Sequence, residues 1–322
     1  MSVDSTNRKP VEFELMEVGE QLGPVEFDID EHFVKSVAFA IDDYGAWHLG
    51  PSSPFGRPIA HASALLCDLL RLLYTRYDPD QDRGLHQHEE FTLHSPVFIG
   101  ERVRLTGKFV EKYVKRGRGY VVTEAEARTV ADDRLIMRHR ATETTDIPAN
   151  SELRDTPREA AAASRRVGGV LPPDHDLVEA LSPGIAVGTP LRGLTKTVHQ
   201  DQMSIYSGAH LFWHSIHTDR DVAIESGMKD TVAQGLMLAC YVSEWATGLF
   251  GPSWFQSGWM TLSFLSPVFP EDTVSVFGVV TGVREGPTGA TVELETWVET
   301  HEGVKAAVGW FSGLLGHESN AE

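Results

Sequence analysis

Apolar residues fall along this chain in two kinds of run. Over residues 59–77 and 232–250 they are nearly continuous, which predicts two helices buried on several sides rather than amphipathic surface helices. Elsewhere they alternate with polar residues or carry β-branches, the pattern of a half-buried sheet. This predicts strands over 90–93, 103–110, 119–127 and 135–143, then over 194–198, 260–264, 274–283, 290–299 and 305–314. Residues 33–41 read as a short helix. Residues 1–30 are polar with short apolar islands and predict no element.

The pattern occurs twice. Ser266-Pro267-Val268-Phe269 repeats Ser95-Pro96-Val97-Phe98, 171 positions on, and an acid-x-Val follows both, as Glu101-Arg102-Val103 and Asp272-Thr273-Val274. Ile59-Ala60-His61-Ala62 matches Val232-Ala233-Gln234-Gly235 at an offset of 173, which also places Cys67 on Cys240. Two copies of one unit follow, each a long buried helix and several antiparallel strands. The economical fold is α+β, with a curved sheet wrapped around the helix. Two units pairing edge to edge would make one continuous sheet and protect the edge strands. Residues 1–150 form the first unit and 191–322 the second. Residues 151–190, with Gly168-Gly169 and Pro172-Pro173, read as the linker.

Composition narrows the function. The chain of 322 residues is 41% apolar and 23% charged, with a formal charge of −18. That balance argues against nucleic acid and anionic membranes as partners, because both need Lys/Arg clusters. A local basic patch, residues 112–118, leaves an anionic ligand open. No apolar run is long enough for a membrane span, and the first residues lack the apolar segment of a signal peptide. The two cysteines sit in the predicted helices and read as buried thiols of a cytoplasmic protein.

Candidate chemistry concentrates between Tyr206 and Met237. A polar turn with three histidines, His210, His214 and His217, precedes Gly235, which opens the second apolar helix. A titratable imidazole beside the positive end of a helix suits proton transfer next to a carbonyl. His217 is the lead residue. Tyr206 and Ser207 either place a substrate oxygen or stabilise the turn, and Gly235 is either an amide donor or a close-packing position. The histidine spacing alone does not make a metal site, so neither metal nor cofactor is expected. Asp43 and His48 form a second acid and imidazole pair in the first copy, with helix capping as the competing role. His86-Gln87-His88-Glu89-Glu90 is rich in ligand-type side chains but reads as a polar strand entry. Trp213, Trp245, Trp254, Phe255 and Trp259 belong to the core or to an acyl pocket.

These residues resemble a known family. The helix-then-strands unit with Ser-Pro-Val-Phe-x-x-acid-x-Val is similar to the hotdog fold, and the chain looks like a double hotdog of the MaoC-like dehydratase and R-specific enoyl-CoA hydratase group. Tyr206, Ser207, Gly208, Ile216, His217, Asp219, Ala223, Gly227, Gln234 and Gly235 fit the hydratase motif in the second copy. The resemblance implies an acid and base pair that adds water to an enoyl thioester. It implies a helix-start glycine amide that receives the thioester carbonyl. It departs at Phe212, where the catalytic acid should stand, and at His214, in place of an asparagine. The first copy keeps the acid-to-histidine spacing, Asp43 to His48, but has Ala62 for the glycine.

The sequence therefore predicts a hydro-lyase acting on an acyl thioester of coenzyme A or an acyl carrier protein. His217, Asp43 and His48 would be catalytic, and Tyr206, Ser207, His214, Asp219 and Gly235 would bind substrate. By analogy of sheet pairing the protein would be a homodimer. The alternatives are another elimination, an isomerisation or a cyclisation in the same pocket, or an inactive partner subunit. A thioesterase would need an acid on a buried helix, where only Asp68 and Glu244 occur.

Overall fold

The computed structural model describes residues 8–82, 84–145, 153–156, 166–173, 176–208 and 214–316. It is built on one ten-stranded antiparallel sheet. The N-terminal copy supplies β1 (Gln21–Asp28), β2 (Leu85–Leu93), β3 (Arg102–Lys115), β4 (Arg118–Thr129) and β5 (Leu135–Thr145). The C-terminal copy supplies β6 (Pro190–Thr197), β7 (Trp259–Phe264), β8 (Thr273–Gly286), β9 (Gly289–Thr300) and β10 (Lys305–Gly316). The spatial order is β1-β3-β4-β5-β2-β7-β10-β9-β8-β6, the same order in each copy read outward from the centre. The copies join where β2 pairs with β7, with Glu89 opposite Leu262 and Phe91 opposite Met260.

The strands form where alternation predicts them and extend a few residues further. β8 shows the reason, with Val274, Val276 and Val280 buried on one face and Ser275, Phe277 and Val279 half-buried on the other. β1 was not legible because Gly23 and Pro24 interrupt its alternation. Its register with β3 shifts at that point.

The C-terminal helix α6 (Gly235–Phe250) lies along the concave face of the sheet and is buried almost all round. The corresponding helix of the first copy departs from expectation. Only Leu66–Leu70 is α-helical (α3), followed by a 3-10 turn over Arg71–Thr75. Residues 59–61 cannot join it because their backbone groups are committed elsewhere. The Ile59 carbonyl accepts from His48, and the Ala60 N–H donates to Val97. Four shorter helices complete the fold: α1 (Glu31–Ile41), α2 (Ala46–Leu49), α4 (Gln200–Tyr206) and α5 (Arg220–Glu225), with a single turn α7 (Trp254–Ser257) after α6. α1 and α4 occupy equivalent places in the two copies and pack on each other. α4 precedes the polar turn, so the sequence stretch read as one turn begins at a helix end.

Cys67 and Cys240 are free and buried, and burial pushes their thiols up to about 12 and about 11 respectively. Neither is a poised nucleophile.

Trp254 closes the centre of the core. It is fully buried, donates from Nε1 to Ser243 Oγ at 3.0 Å, and touches rings from both copies: Phe250 and Phe311 at 6.1 Å and Phe91 at 6.3 Å. Trp254→Ala should destabilise the whole molecule by about 3–5 kcal/mol. Urea unfolding followed by circular dichroism measures this, and both copies should lose stability together because the tryptophan belongs to their shared core.

Candidate active site

A cleft of about 230 Å³ opens between the first copy's short helix and the loops of the second copy. Its walls carry Arg71 from the first copy and Ser207, His217, Gln234 and Gly235 from the second. The geometry around His217 is closed on one side. Its Nδ1 lies 2.7 Å from the Val232 carbonyl and donates to it, so the neutral ring keeps its lone pair on Nε2. Burial pushes its pKa down to about 4, and the Arg71 guanidinium works in the same direction. His217 is therefore neutral at physiological pH.

Gln234 sits at the N-cap of α6 and joins the two copies. Its Nε2 donates to Ser207 Oγ at 2.8 Å, and its Oε1 accepts from Cys67 Sγ at 3.3 Å. Arg71 Nη2 donates to the Tyr206 carbonyl at 2.7 Å. Gly235 begins a sixteen-residue helix, and a Cβ there would lie 2.9 Å from the Phe264 ring. Close packing therefore requires the glycine. Its amide stands at the positive end of the helix on the cleft wall.

The two remaining sequence candidates of this region are directed elsewhere. The Tyr206 hydroxyl is buried 3.4 Å from Cys240 Sγ, away from the cleft lining. Asp219 is the N-cap of α5, accepting from the Asp221 and Val222 N–H groups, and it holds His214 Nδ1 at 2.9 Å. His214 itself lines the cleft but is largely exposed. His210, Phe212 and Trp213 lie outside the described residues. Among the described residues no carboxylate pairs with His217, and Asp43 belongs to a different cluster.

That cluster is the first copy's equivalent site. His48 donates from Nδ1 to the Ile59 carbonyl at 3.0 Å, the counterpart of the His217–Val232 bond. Its Nε2 lies 3.8 Å from Asp43 Oδ2. His61, at the repeat position of Gln234, lies 3.6 Å from the same oxygen and donates to the Asp43 carbonyl at 2.9 Å. The two imidazoles stack at 3.7 Å. Asp43, His48 and His61 offer ligand atoms within 4.8 Å of one another, a donor set that a divalent ion could use. Burial pushes the His48 and His61 pKa values down, His61 to about 4. Lys196 closes the cluster, with Nζ 2.9 Å from Glu244 Oε2. Burial, and then the Asp43 carboxylate, push Glu244 up to about 7.

Sequence reasoning missed Arg71, Lys196, Gln234 as a bridge, His61 as a partner of Asp43, and the inward orientation of Glu244. The repeat held part of the signal. At the offset of 173, Arg71 corresponds to Glu244. Each copy's helix thus sends one charge into the other copy's site, and the two charges have opposite sign.

Comparison with known proteins agrees with this architecture. Residues 184–302 match the family model of the MaoC like domain, so the second copy is a MaoC-like domain. No curated protein matches the sequence. Among solved structures, the chain is similar to a putative MaoC domain protein dehydratase from Chloroflexus aurantiacus, at a TM-score of 0.75 and 12% identity over 97% of this chain and 99% of that one. A conserved Mycobacterium tuberculosis protein with a double hotdog fold aligns at 0.62 and 14% identity, over 94% and 98% of the two chains. The full-length peroxisomal multifunctional enzyme type 2 of Drosophila melanogaster aligns at 0.62 and 17% identity, covering 92% of this chain and 48% of that one. At these identities the likeness establishes the fold, and this chain is a double hotdog with a MaoC-like second half. No helix among the described residues is long and apolar enough to cross a membrane.

The buried histidines make stability depend on pH. A folded-state pKa below the unfolded one means that the unfolded chain binds more protons, so stability is full above about pH 6.5 and falls toward pH 4. His217 alone should cost on the order of 3 kcal/mol across that window. His217→Gln should flatten the slope of unfolding free energy against pH, measured by denaturant titration between pH 7 and pH 4.5.

Proposed function

We propose that the protein is a hydro-lyase that adds water to, or removes it from, an α,β-unsaturated acyl thioester carried by coenzyme A or an acyl carrier protein. The supporting observation is that one cleft wall carries both the His217 ring, its Nδ1–H held by the Val232 carbonyl, and the Gly235 amide at the start of α6. The thioester carbonyl would accept from the Gly235 N–H, where charge developing on the enolate oxygen gains most from the helix terminus. His217 Nε2 would accept a hydrogen bond from the water that attacks Cβ. Because burial and Arg71 hold this imidazole neutral, it suits orienting the water better than holding a full positive charge. The resemblance to MaoC-like dehydratases supplies the reaction class, and the acyl group is set by the cleft.

A second reading places the chemistry at Asp43 and His48, which keep the acid and imidazole pair at 3.8 Å. The Lys196–Glu244 ion pair and the burial of both imidazoles there favour the open cleft as the site.

The loss of absorbance of the conjugated thioester, followed over acyl groups of different length and branching, tests the reading. His217→Ala should lower kcat/KM about 100-fold or more, and Asp43→Asn should leave it within about threefold of wild type, the scatter of a substitution outside the site. The reverse pattern would move the site to the first copy. No turnover with any enoyl or hydroxyacyl thioester would exclude hydro-lyase activity.

A further inference from the structure

In the cleft His217 is a neutral imidazole, and the carboxylates on the lining, Asp80, Asp82 and Glu143, all come from the other copy. The cleft floor is β2 of the other copy, where Leu85, His86 and Gln87 line the same space. Here the run that reads as a polar strand entry takes a definite form. Residues 86 and 89 are an odd number apart and should face opposite sides of a strand. The register of β2 with β5 shifts between His86 and His88, a bulge of one residue, and brings His86 and Glu89 to the same face.

Glu89 is buried, with 1% of its side chain exposed, between two imidazoles. His139 Nδ1 lies 2.7 Å from Oε1, and His86 Nε2 lies 3.2 Å from Oε2. His86 Nε2 also lies 2.9 Å from the His88 carbonyl. The His88 carbonyl accepts from Nε2–H with the Glu89 carboxylate beside it, so in the uncharged ring the lone pair is on Nδ1. His86 Nδ1 is buried and has no partner among the described residues. The ring packs edge-on against Phe264 at 5.0 Å, and Phe264 is the ring that packs on Gly235. His86 and the helix-start amide thus share one aromatic neighbour.

We propose that His86, oriented by Glu89, is the proton carrier of the cleft and a catalytic residue of its reaction, with Glu89 a positioning residue behind it. The proposal rests on the hydro-lyase reading above. In the hydration direction Nδ1 takes a proton from water as the water oxygen bonds to Cβ. The π pair of the alkene moves toward the carbonyl, and the enolate oxygen accepts from the Gly235 N–H. Nδ1 then gives its proton to Cα, and the imidazole returns to its neutral form. Glu89 stands where it can stabilise the imidazolium that forms between these two events, as a carboxylate does behind a catalytic histidine. His217, which has no such support, orients the water. The titratable groups around His86 are Glu89 and His88 on its own strand and His139 and Glu143 on β5. Asp82 and Arg71 lie further along the cleft.

The test separates chemistry from packing with three variants of the full chain assayed on the enoyl thioester that wild type turns over. His86→Asn keeps a donor toward Glu89, and should lower kcat about 100-fold with KM within about threefold and the melting temperature nearly unchanged. Glu89→Gln should lower kcat about tenfold, again without a change in KM. His86→Ala should regain kcat when imidazole is added to the buffer. A His86→Asn enzyme that keeps most of its kcat overturns the inference and leaves the hydro-lyase reading standing. So does a triad whose variants lower the melting temperature alone, with kcat per folded molecule unchanged and no rescue by imidazole. Absence of turnover by wild type strikes the hydro-lyase reading itself and the inference with it.

Discussion

The pairing of β2 with β7 is the constraint on which the rest depends. It is the seam between two copies of one unit, with five residue pairs from His88–Ser263 to Thr92–Trp259. Because it lies at the centre of the sheet, each copy's concave face continues into the other's. A buried helix on one side therefore ends against the loops of its neighbour. That is why Arg71 meets the Tyr206 carbonyl and why Glu244 meets Lys196 beside Asp43. Neither site could be completed by one copy alone.

Duplication under this constraint allowed the two sites to diverge. Both keep a histidine whose Nδ1 donates to a carbonyl, at Ile59 and at Val232. Around that shared element the electrostatics are inverted. The first copy gathers Asp43 and Glu244, sets Lys196 against Glu244 and places two buried imidazoles beside Asp43. The second brings a guanidinium to the back of its cleft and leaves its histidine neutral. A buried cation there disfavours a second positive charge. Any proton moved in that cleft is better carried by a group with its own counter-charge.

The fold was legible because it rests on periodicity. Continuous apolar runs marked the helices, alternation marked nine strands, and the repeat of Ser-Pro-Val-Phe fixed the duplication. What failed, failed for local reasons. β1 is interrupted at Gly23-Pro24, and the first helix loses its opening residues because Ile59 and Ala60 bond outside it. The site was only half legible. His217 and Gly235 stand on one cleft wall, a proximity that motif spacing can anticipate because it is local. Tyr206 and Asp219 fit the same motif, yet one phenol is buried against Cys240 and the other side chain caps a helix. Arg71, Lys196 and His86 reach their places through sheet pairing over more than a hundred residues, which no local spacing encodes. The bulge at residues 86–88 hid His86 further, since strict alternation puts it on the wrong face.

Glu89 shows why such a group is informative. Burying a carboxylate costs several kcal/mol, and an apolar triad of similar volume is often at least as stable as a buried ion pair. A sheet centre that served stability alone would have no use for Glu89, His86 and His139, and the equivalent strand of the second copy fills its inner face with Met260 and Leu262 instead. Charge is retained on only one side of the seam, the side that floors the open cleft. The flanking imidazoles hold the Glu89 carboxyl below its usual range despite its burial. The anion is therefore present before any ligand arrives, 3.2 Å from a ring on the cleft wall. A carboxylate held in this way between imidazoles is poorly suited to being a strut and well suited to moving a proton, because a proton that reaches the ring finds its counter-charge already in place.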